Sequence, residues 1–300
     1  MWPGFKVTLL RRYYRFANWK AWRAPNVEKD PGRLHIHTGS VLLKAQLYRG
    51  ARASQRPIIV YFHGGGWVLG DLQTHHAYCR ALSDASGATL LAIDYRRAPE
   101  NPFPGAQDDC LGAATAIAEG GIDLGPSNGT IMLAGDSAGG HLALCTALEA
   151  NGELATKLAG LILTYPVVDH YSQEYPSYTE CAKGQVLTRD FMEWFWNLYL
   201  AGLDPASSQS LRAYPIRSDN LAALPPSLIC TCGRDPLRDE GIAMKDRMLT
   251  AGVDTMYEHY PDSEHGFACS QGPGRDYDLW LERCASWVRN QAEGGEPHGE

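Results

Sequence analysis

Three short stretches of the chain hold residues that could together carry out nucleophilic attack on a carbonyl carbon. The first is residues 135–139 (GDSAG), in which a serine stands between glycines. It follows an apolar run at 130–134 and precedes a segment of helical character, so it predicts a strand, a tight turn and a helix. A serine at such a turn stands at the positive end of the helix, where a developing anion is favoured. We interpret Ser137 as the nucleophile; the alternative is an incidental serine in a glycine-rich turn.

A serine nucleophile needs a base and an acid, and the chain offers both in a suitable order. In strand–turn–helix elbows of this type, the acid and then the histidine follow the serine along the chain. His265 lies in the loop 262–267, after a strand predicted at 255–260, and Asp235 follows a strand predicted at 227–232. Both residues are therefore expected at the carboxyl edge of the sheet, where ligands of such sheets bind. His265 is the predicted base, and Asp235 is predicted to orient its imidazole.

Other residues compete for these two roles. His141 lies one helical turn after the serine, His259 lies within a predicted strand, and His298 lies near the end of the chain. None of these three places suits a base at the carboxyl edge of the sheet. Asp239 and Glu240 are the competing acids, and both fall inside the next predicted helix.

The third stretch is a run of glycines at residues 63–67 (HGGGW), directly after a strand predicted at 57–62. Consecutive glycines let backbone N–H groups turn towards a small anion without interference from Cβ atoms. The N–H group after the nucleophile, here that of Ala138, is the expected second donor. A phosphate-binding loop is the competing interpretation, but no lysine follows the glycines. We interpret His63 as a structural residue that braces the loop and Trp67 as a wall of the substrate pocket, with a core position as the alternative for Trp67.

From residue 57 onward, apolar strands alternate with helical segments, which indicates an α/β fold with a mostly parallel sheet flanked by helices. Two aromatic-rich segments, 1–45 and 170–215, interrupt this alternation and are predicted to form a helical cap; the alternative is a helix on the flank of the sheet. The catalytic domain would comprise 46–169 and 216–292, and 293–300 is expected to be disordered. Strands are predicted at 57–62, 89–94, 130–134, 158–164, 227–232 and 255–260, and helices at 75–86, 104–119, 139–150, 238–251 and 277–292.

Composition and charge exclude several classes of protein. The 300 residues carry 27 basic and 34 acidic side chains, and the net charge of −7 disfavours a nucleic acid as partner. The longest apolar stretch, 158–168, is too short to span a bilayer, which takes about twenty residues. Eight cysteines at these spacings indicate neither a disulfide scaffold nor a metal site. Because the N-terminus lacks the pattern of a secretory signal, we expect a cytoplasmic protein with reduced thiols.

The chain carries five motifs in a fixed order: 61–71 (YFHGGGWVLGD), 94–100 (DYRRAPE), 135–140 (GDSAGG), 235–240 (DPLRDE) and 265–267 (HGF). Together they resemble the hormone-sensitive-lipase-like esterases, which are the bacterial family IV carboxylesterases of the α/β-hydrolase fold. The resemblance covers roughly residues 57–290. Its motifs are specific because all five occur in the order of the family.

This resemblance implies a carboxylic ester hydrolase in which the serine, aspartate and histidine predicted above form a triad. The oxyanion donors of the family correspond to the N–H groups of Gly65, Gly66 and Ala138. No metal or organic cofactor is implied, and the expected partner is a small-molecule ester with a short to medium acyl chain. The cap of the family, built from an N-terminal segment and an insertion, matches the two aromatic-rich segments. Many relatives form homodimers through the last strand and helix, which here are 255–260 and the helix after Tyr277.

Two other functions remain alternatives to ester hydrolysis. The same triad could cleave an amide or a formamide. A small-molecule receptor on the same fold occurs among plant relatives in which the triad histidine is replaced, and the presence of His265 argues against it.

Overall fold

The computed structural model describes residues 3–22, 32–39 and 41–292; the tail predicted to be disordered, 293–300, lies outside these ranges. Eight strands form one sheet in the order β1-β2-β4-β3-β5-β6-β7-β8. The strands are β1 (Gly32–His37), β2 (Leu42–Tyr48), β3 (Ile58–Phe62), β4 (Thr89–Asp94), β5 (Ile131–Asp136), β6 (Leu158–Thr164), β7 (Ser227–Arg234) and β8 (Thr255–Glu264).

Strands β3 to β8 run parallel, and β1 and β2 add an antiparallel hairpin at one edge beside β4. The predicted mostly parallel sheet with flanking helices is confirmed. Within the described ranges the α-helices are α1 (Pro3–Ala21), α2 (His76–Ser86), α3 (Gly105–Ala118), α4 (Ala138–Leu148), α5 (Gly152–Lys157), α6 (Pro176–Glu180), α7 (Arg189–Leu200), α8 (Arg238–Thr250) and α9 (Arg275–Ala292). The same ranges also contain several 3-10 segments of three to six residues.

The predicted boundary of the first cap segment at residue 45 is wrong, because β1 and most of β2 precede it and belong to the central sheet. In β2, Leu43, Ala45 and Leu47 are buried while Leu42 and Lys44 face water. An alternation of buried and exposed residues with a period of two is typical of a half-buried strand, and the sequence of β2 predicts it.

The centre of the sheet is the most completely buried part of the chain. All six residues of β5 are buried, and so are residues 138–147 of α4, which packs against β5 and β6. Apolar side chains on both faces of a strand require cover on both sides, and helices supply it here. All eight cysteines are buried and unpaired. None of the helices in the described ranges has the length and apolar character needed to cross a membrane.

The turn between β5 and α4 brings backbones unusually close together. A Cβ atom on Gly139 would lie 1.9 Å from the carbonyl oxygen of Phe62 at the end of β3. A Cβ atom on Gly135 would lie 2.3 Å from the backbone of Gly139. Ser137, between them, has φ 54° and ψ −120°, a backbone conformation that is costly for a residue other than glycine. The glycines are therefore needed for space, and the packing around them holds the serine in its strained conformation.

Substituting Gly139→Ala should destabilise the whole fold, because the added methyl group meets a backbone carbonyl that cannot move away. We expect a loss of about 3 kcal/mol or more in the free energy of unfolding, measured by urea denaturation. Gly274→Ala is the matched control, since a Cβ atom there meets nothing within 4 Å. Equal stability of the two variants would contradict this account of the turn.

Candidate active site

The structure brings Ser137, His265 and Asp235 together at the carboxyl ends of three parallel strands. Ser137 Oγ lies 2.9 Å from Nε2 of His265, and Nδ1 of His265 lies 2.7 Å from Oδ2 of Asp235. With the ring neutral, its Nδ1–H donates to the carboxylate, and Nε2 is free to accept the serine proton. Asp235 is completely buried, and its other oxygen accepts from the Leu237 N–H at 2.9 Å. This is the geometry that activation of a serine hydroxyl requires.

The histidine is held by an aromatic ring that the sequence analysis did not single out for this contact. Tyr165 follows β6 and lies against the imidazole of His265, with ring centroids 4.6 Å apart. Its backbone has φ 37°, which is unusual for a bulky side chain. Phe267 also packs on Tyr165, at 5.7 Å between ring centroids. The ring of the predicted base is therefore confined by packing as well as by its hydrogen bonds.

A buried carboxylate next to the serine joins the serine turn to the glycine loop. Oδ1 of Asp136 accepts hydrogen bonds from the Tyr61 hydroxyl at 2.7 Å and from the Gly64 N–H at 2.9 Å. His75 Nε2 lies 3.2 Å from the same oxygen. Burial raises the pKa of Asp136, but the charge of His75 and these hydrogen bonds outweigh it and hold that pKa below its ordinary value. Burial alone would lower the pKa of His75, but the charge of Asp136 and its hydrogen bond outweigh burial, so the pKa of His75 is raised above its ordinary value.

Two residues of the glycine loop line the same cavity as the serine. Gly65 and Gly66 line this cavity and have φ 107° and 60°. The hydrogen bonds of the described residues include none donated by either N–H group, whereas the Gly64 N–H is bound to Asp136. Ala138, the third predicted donor, is the first residue of α4, so its N–H lies at the helix N-terminus beside the serine.

His63 and the neighbouring ring of Tyr95 support the glycine loop. Burial lowers the pKa of His63 to about 3, so the ring is neutral. It stacks on Tyr95 with centroids 4.3 Å apart, and the Tyr95 hydroxyl donates to the His63 carbonyl at 2.7 Å. These contacts are structural, in line with the interpretation of His63 as a bracing residue.

Trp67 does not line the cavity, and its predicted role as a substrate-binding residue is wrong in this structure. Its side chain is fully buried and stacks on Tyr199 of α7 with centroids 4.3 Å apart. The indole Nε1–H donates to Nδ1 of His141 at 3.1 Å, and the opposite ring nitrogen of His141 donates to the Ala213 carbonyl at 2.9 Å. Burial lowers the pKa of His141 to about 4, which keeps Nδ1 available as an acceptor. Trp67 is thus fastened to α4, the helix that begins after the serine.

The cavity beside Ser137 has a volume of about 450 Å³. Two walls come from distant parts of the chain. One is the inner face of α1, with Leu10, Tyr14 and Asn18, and the other includes Leu187 and residues of α7. Most of the lining is apolar, and a cavity of this size suits a small organic ligand. Further residues of the α7 side are Val186, Phe191, Met192 and Phe195.

One group of side chains among the described residues has the composition of a metal site: His75, Asp136 and Cys269, whose ligand atoms lie within 4.8 Å of one another. Their polar atoms already serve other contacts. His75 and Asp136 face each other, and Cys269 Sγ lies 3.4 Å from the Tyr61 hydroxyl. We therefore interpret this group as internal support for the serine turn.

Comparisons with known proteins agree with this fold. A model of the alpha/beta hydrolase fold matches residues 59–269. Esterase LipI of Mycobacterium tuberculosis is 36% identical over 214 residues, or 71% of this chain and 66% of LipI. Carboxylesterase NlhH of the same species is 37% identical over 70% of this chain and 66% of NlhH. A hyperthermophilic esterase from the archaeon Pyrobaculum calidifontis superposes with a TM-score of 0.86 at 33% identity, over 95% of this chain and 94% of that one.

The fold and the site thus define an α/β hydrolase. The chain belongs to the α/β-hydrolase family matched above, and within it to the carboxylesterases that resemble hormone-sensitive lipase. The aligned region spans just under two thirds of the two mycobacterial relatives, 66% of each.

Replacing Trp67→Phe removes the indole N–H and leaves the buried Nδ1 of His141 without a donor. We expect kcat for an ester to fall about tenfold while KM changes little, because a shift of the adjacent glycine loop weakens binding of the transition state. His141→Leu should have a similar effect, and the double variant should be no worse than either single one. The measurement is a double-mutant cycle on kcat per active site, counted by titration with a phosphonate.

The matched control is Trp287→Phe. This buried indole packs on Gly160 near the start of β6, at the edge of the sheet opposite the glycine loop. Its loss should lower stability without lowering kcat per active site. Additive effects of Trp67→Phe and His141→Leu on kcat would contradict the coupling.

The pair of His75 and Asp136 should make stability depend on pH. A histidine pKa raised by folding stabilises the protein fully below the unfolded value of about 6.5, and this contribution is lost as the pH rises through the folded value. His75→Gln should therefore lower the free energy of unfolding by about 3 kcal/mol at pH 5.5, and by less at pH 9. Urea denaturation across this range measures the difference. His35→Gln, at an exposed position, is the control; a difference from wild type that is independent of pH would refute the pairing.

Proposed function

We propose that this protein cleaves carboxylic esters through an acyl-enzyme, with Ser137 as nucleophile, His265 as general base and Asp235 as the residue that orients the histidine. The observation that carries the proposal is the chain of contacts from Ser137 Oγ to the imidazole at 2.9 Å and from the imidazole to the carboxylate at 2.7 Å. The esterase names of the relatives support the choice of an ester as substrate.

The reaction has two half-steps. In the first, Ser137 attacks the ester carbonyl as His265 takes its proton, and His265 then protonates the departing alcohol. In the second, water attacks the acyl group with the same histidine as base, and the acid is released. The oxyanion formed in each step is bound by the N–H groups of Gly65, Gly66 and Ala138. The free N–H groups of the two glycines and the position of Ala138 at the start of α4 support this assignment.

The size of the cavity supports a preference for short to medium acyl chains. About 450 Å³ holds an acyl chain of about eight carbons together with the alcohol part of a small ester, whereas the chains of a triglyceride exceed it. The walls that limit the cavity come from α1 and from the α7 region, which we propose as the two parts of the cap. Phe195 of α7 packs against Gly66, and this contact supports a second part of the cap next to the glycine loop.

Two further expectations remain proposals. Homodimer formation would use the last strand and helix; β8 is an edge strand of the sheet, which leaves one side open for pairing. A cytoplasmic location is supported by eight cysteines that are all unpaired.

Ser137→Ala should abolish ester hydrolysis, with kcat falling by at least about 10⁴-fold, because the nucleophile is lost. Hydrolysis of p-nitrophenyl esters from two to sixteen acyl carbons tests both parts of the proposal. We expect the highest kcat/KM at about eight carbons or fewer, as the cavity volume requires. A faster rate on emulsified long-chain triglyceride would contradict the proposed chain length.

Covalent labelling separates loss of the nucleophile from disturbance of the cavity. A phosphonate ester should label wild-type protein and Ser270→Ala, which changes another serine of the same cavity, but not Ser137→Ala. Labelling of Ser137→Ala at another serine would refute the assignment. Amide or formamide hydrolysis by the same triad is tested with the corresponding amides, and faster turnover of an amide than of its ester would replace the proposed substrate class.

A further inference from the structure

The outer face of α1 exposes apolar side chains that an ordinary surface helix would turn inward. Leu9, Tyr13 and Phe16 are 60%, 68% and 56% exposed, and Trp19 is 57% exposed. Residues 9, 13 and 16 follow the i, i+4, i+7 spacing of a single helix face. The opposite face of the helix is already used, because it packs on the protein and lines the cavity. The exposed stripe is therefore additional to the face that folding requires.

Positive charge is concentrated on the same helix. The 19 residues of α1 include five cations and no acidic residue, although the whole chain has a net charge of −7. Arg11 and Arg15 pair with Glu100 and Asp71 of the protein body. The remaining three are exposed and have no ion-pair partner among the described residues; they are Lys6, Arg12 and Lys20.

The apolar stripe continues into the rim of the cavity beside Ser137. Tyr13 belongs to both, since it is exposed and also lines the cavity. Val186 and Phe191 line the same cavity from the α7 side and are 56% and 43% exposed. The charges on this second side cancel, because two cations and two acids lie there; they are Lys183, Arg189, Asp190 and Glu193.

We propose that the outer face of α1 docks on the surface of an anionic phospholipid membrane, with the mouth of the cavity at the lipid boundary. Helices that lie in a membrane interface combine lysines and arginines with tryptophan, phenylalanine and leucine in this way. The cations bind the phosphate headgroups, and the aromatic rings enter the boundary between headgroups and acyl chains. An apolar ester dissolved in the lipid then reaches the cavity along the rim.

Charge favours this occupant over a second copy of the chain. In a symmetric dimer through this face, α1 would meet its own counterpart and bring its three unpaired cations against the same three cations of the second copy. Such a contact is repulsive, and the face carries no acid to relieve it. An anionic bilayer has the complementary charge. The docking is independent of the proposed reaction, since it needs neither the serine nor a substrate.

The test is vesicle binding by full-length Ser137→Ala protein, in which no catalysis can alter the lipid. In a flotation assay, the protein should bind vesicles of phosphatidylglycerol mixed with phosphatidylcholine. Binding should be at least tenfold weaker when the vesicles are pure phosphatidylcholine, or when the buffer contains 0.5 M NaCl. Adding Leu9→Ser and Phe16→Ser should weaken binding at least tenfold, and so should Arg12→Gln with Lys20→Gln. The matched control, Leu249→Ser with Leu279→Ser, changes leucines that are 48% and 51% exposed on α8 and α9 and should leave binding unchanged.

The four substitutions on α1 should also leave the circular dichroism spectrum unchanged. Made in protein that retains Ser137, they should leave the hydrolysis of a soluble ester unchanged, because none of the four residues lines the cavity. Three results would overturn the proposal. They are no binding to anionic vesicles, equal losses in the control variant, and a wild-type dimer that Leu9→Ser with Phe16→Ser converts to a monomer without any vesicle binding. A protein that binds vesicles but fails to hydrolyse esters would refute the proposed reaction and leave the docking intact.

Discussion

The geometry of the site depends on the hydrogen bond between the Asp136 carboxylate and the Gly64 N–H group. This carboxylate lies at the end of β5, directly before the serine, and it holds the Gly64 N–H of the loop that follows β3. The serine turn and the glycine loop are thus fixed to each other through one buried group. That group remains ionised in the interior because His75 and the Tyr61 hydroxyl face it. The next two residues of the loop, Gly65 and Gly66, line the cavity. The strained backbone of Ser137 is held by the same packing.

Much of this arrangement is predictable from the sequence, for an identifiable reason. Strands β3 to β7 consist mostly of buried apolar residues, and their predicted boundaries agree with the structure to within two residues. Because parallel strands all end at one edge, the loops after β5, β7 and β8 had to meet. Ser137, Asp235 and His265 follow those strands, and their meeting is a consequence of topology. The distances between them are a property of the folded chain.

What the sequence did not predict depends on contacts between distant segments. The partnership of His75 with Asp136 joins the start of α2 to the end of β5, and no local pattern marks it. Trp67 follows three glycines in a loop, and only the position of α7 decides that it is buried against Tyr199 instead of facing the cavity. The hairpin of β1 and β2 is different, because buried and exposed residues alternate along β2, and this local pattern predicts a strand without any contact to a distant segment.

The separation of the proposed reactive groups from the two cavity walls has a consequence for how the proposed substrate range can change. The groups proposed for chemistry lie on loops anchored in the sheet, whereas the walls belong to α1 and the α7 region. Selection for a new substrate, in nature or in a laboratory library, can therefore act on the walls while the reactive centre stays constant. Phe195 is the exception, because its ring rests on Gly66. A library that spares this one position would explore substrate range with the least risk to turnover.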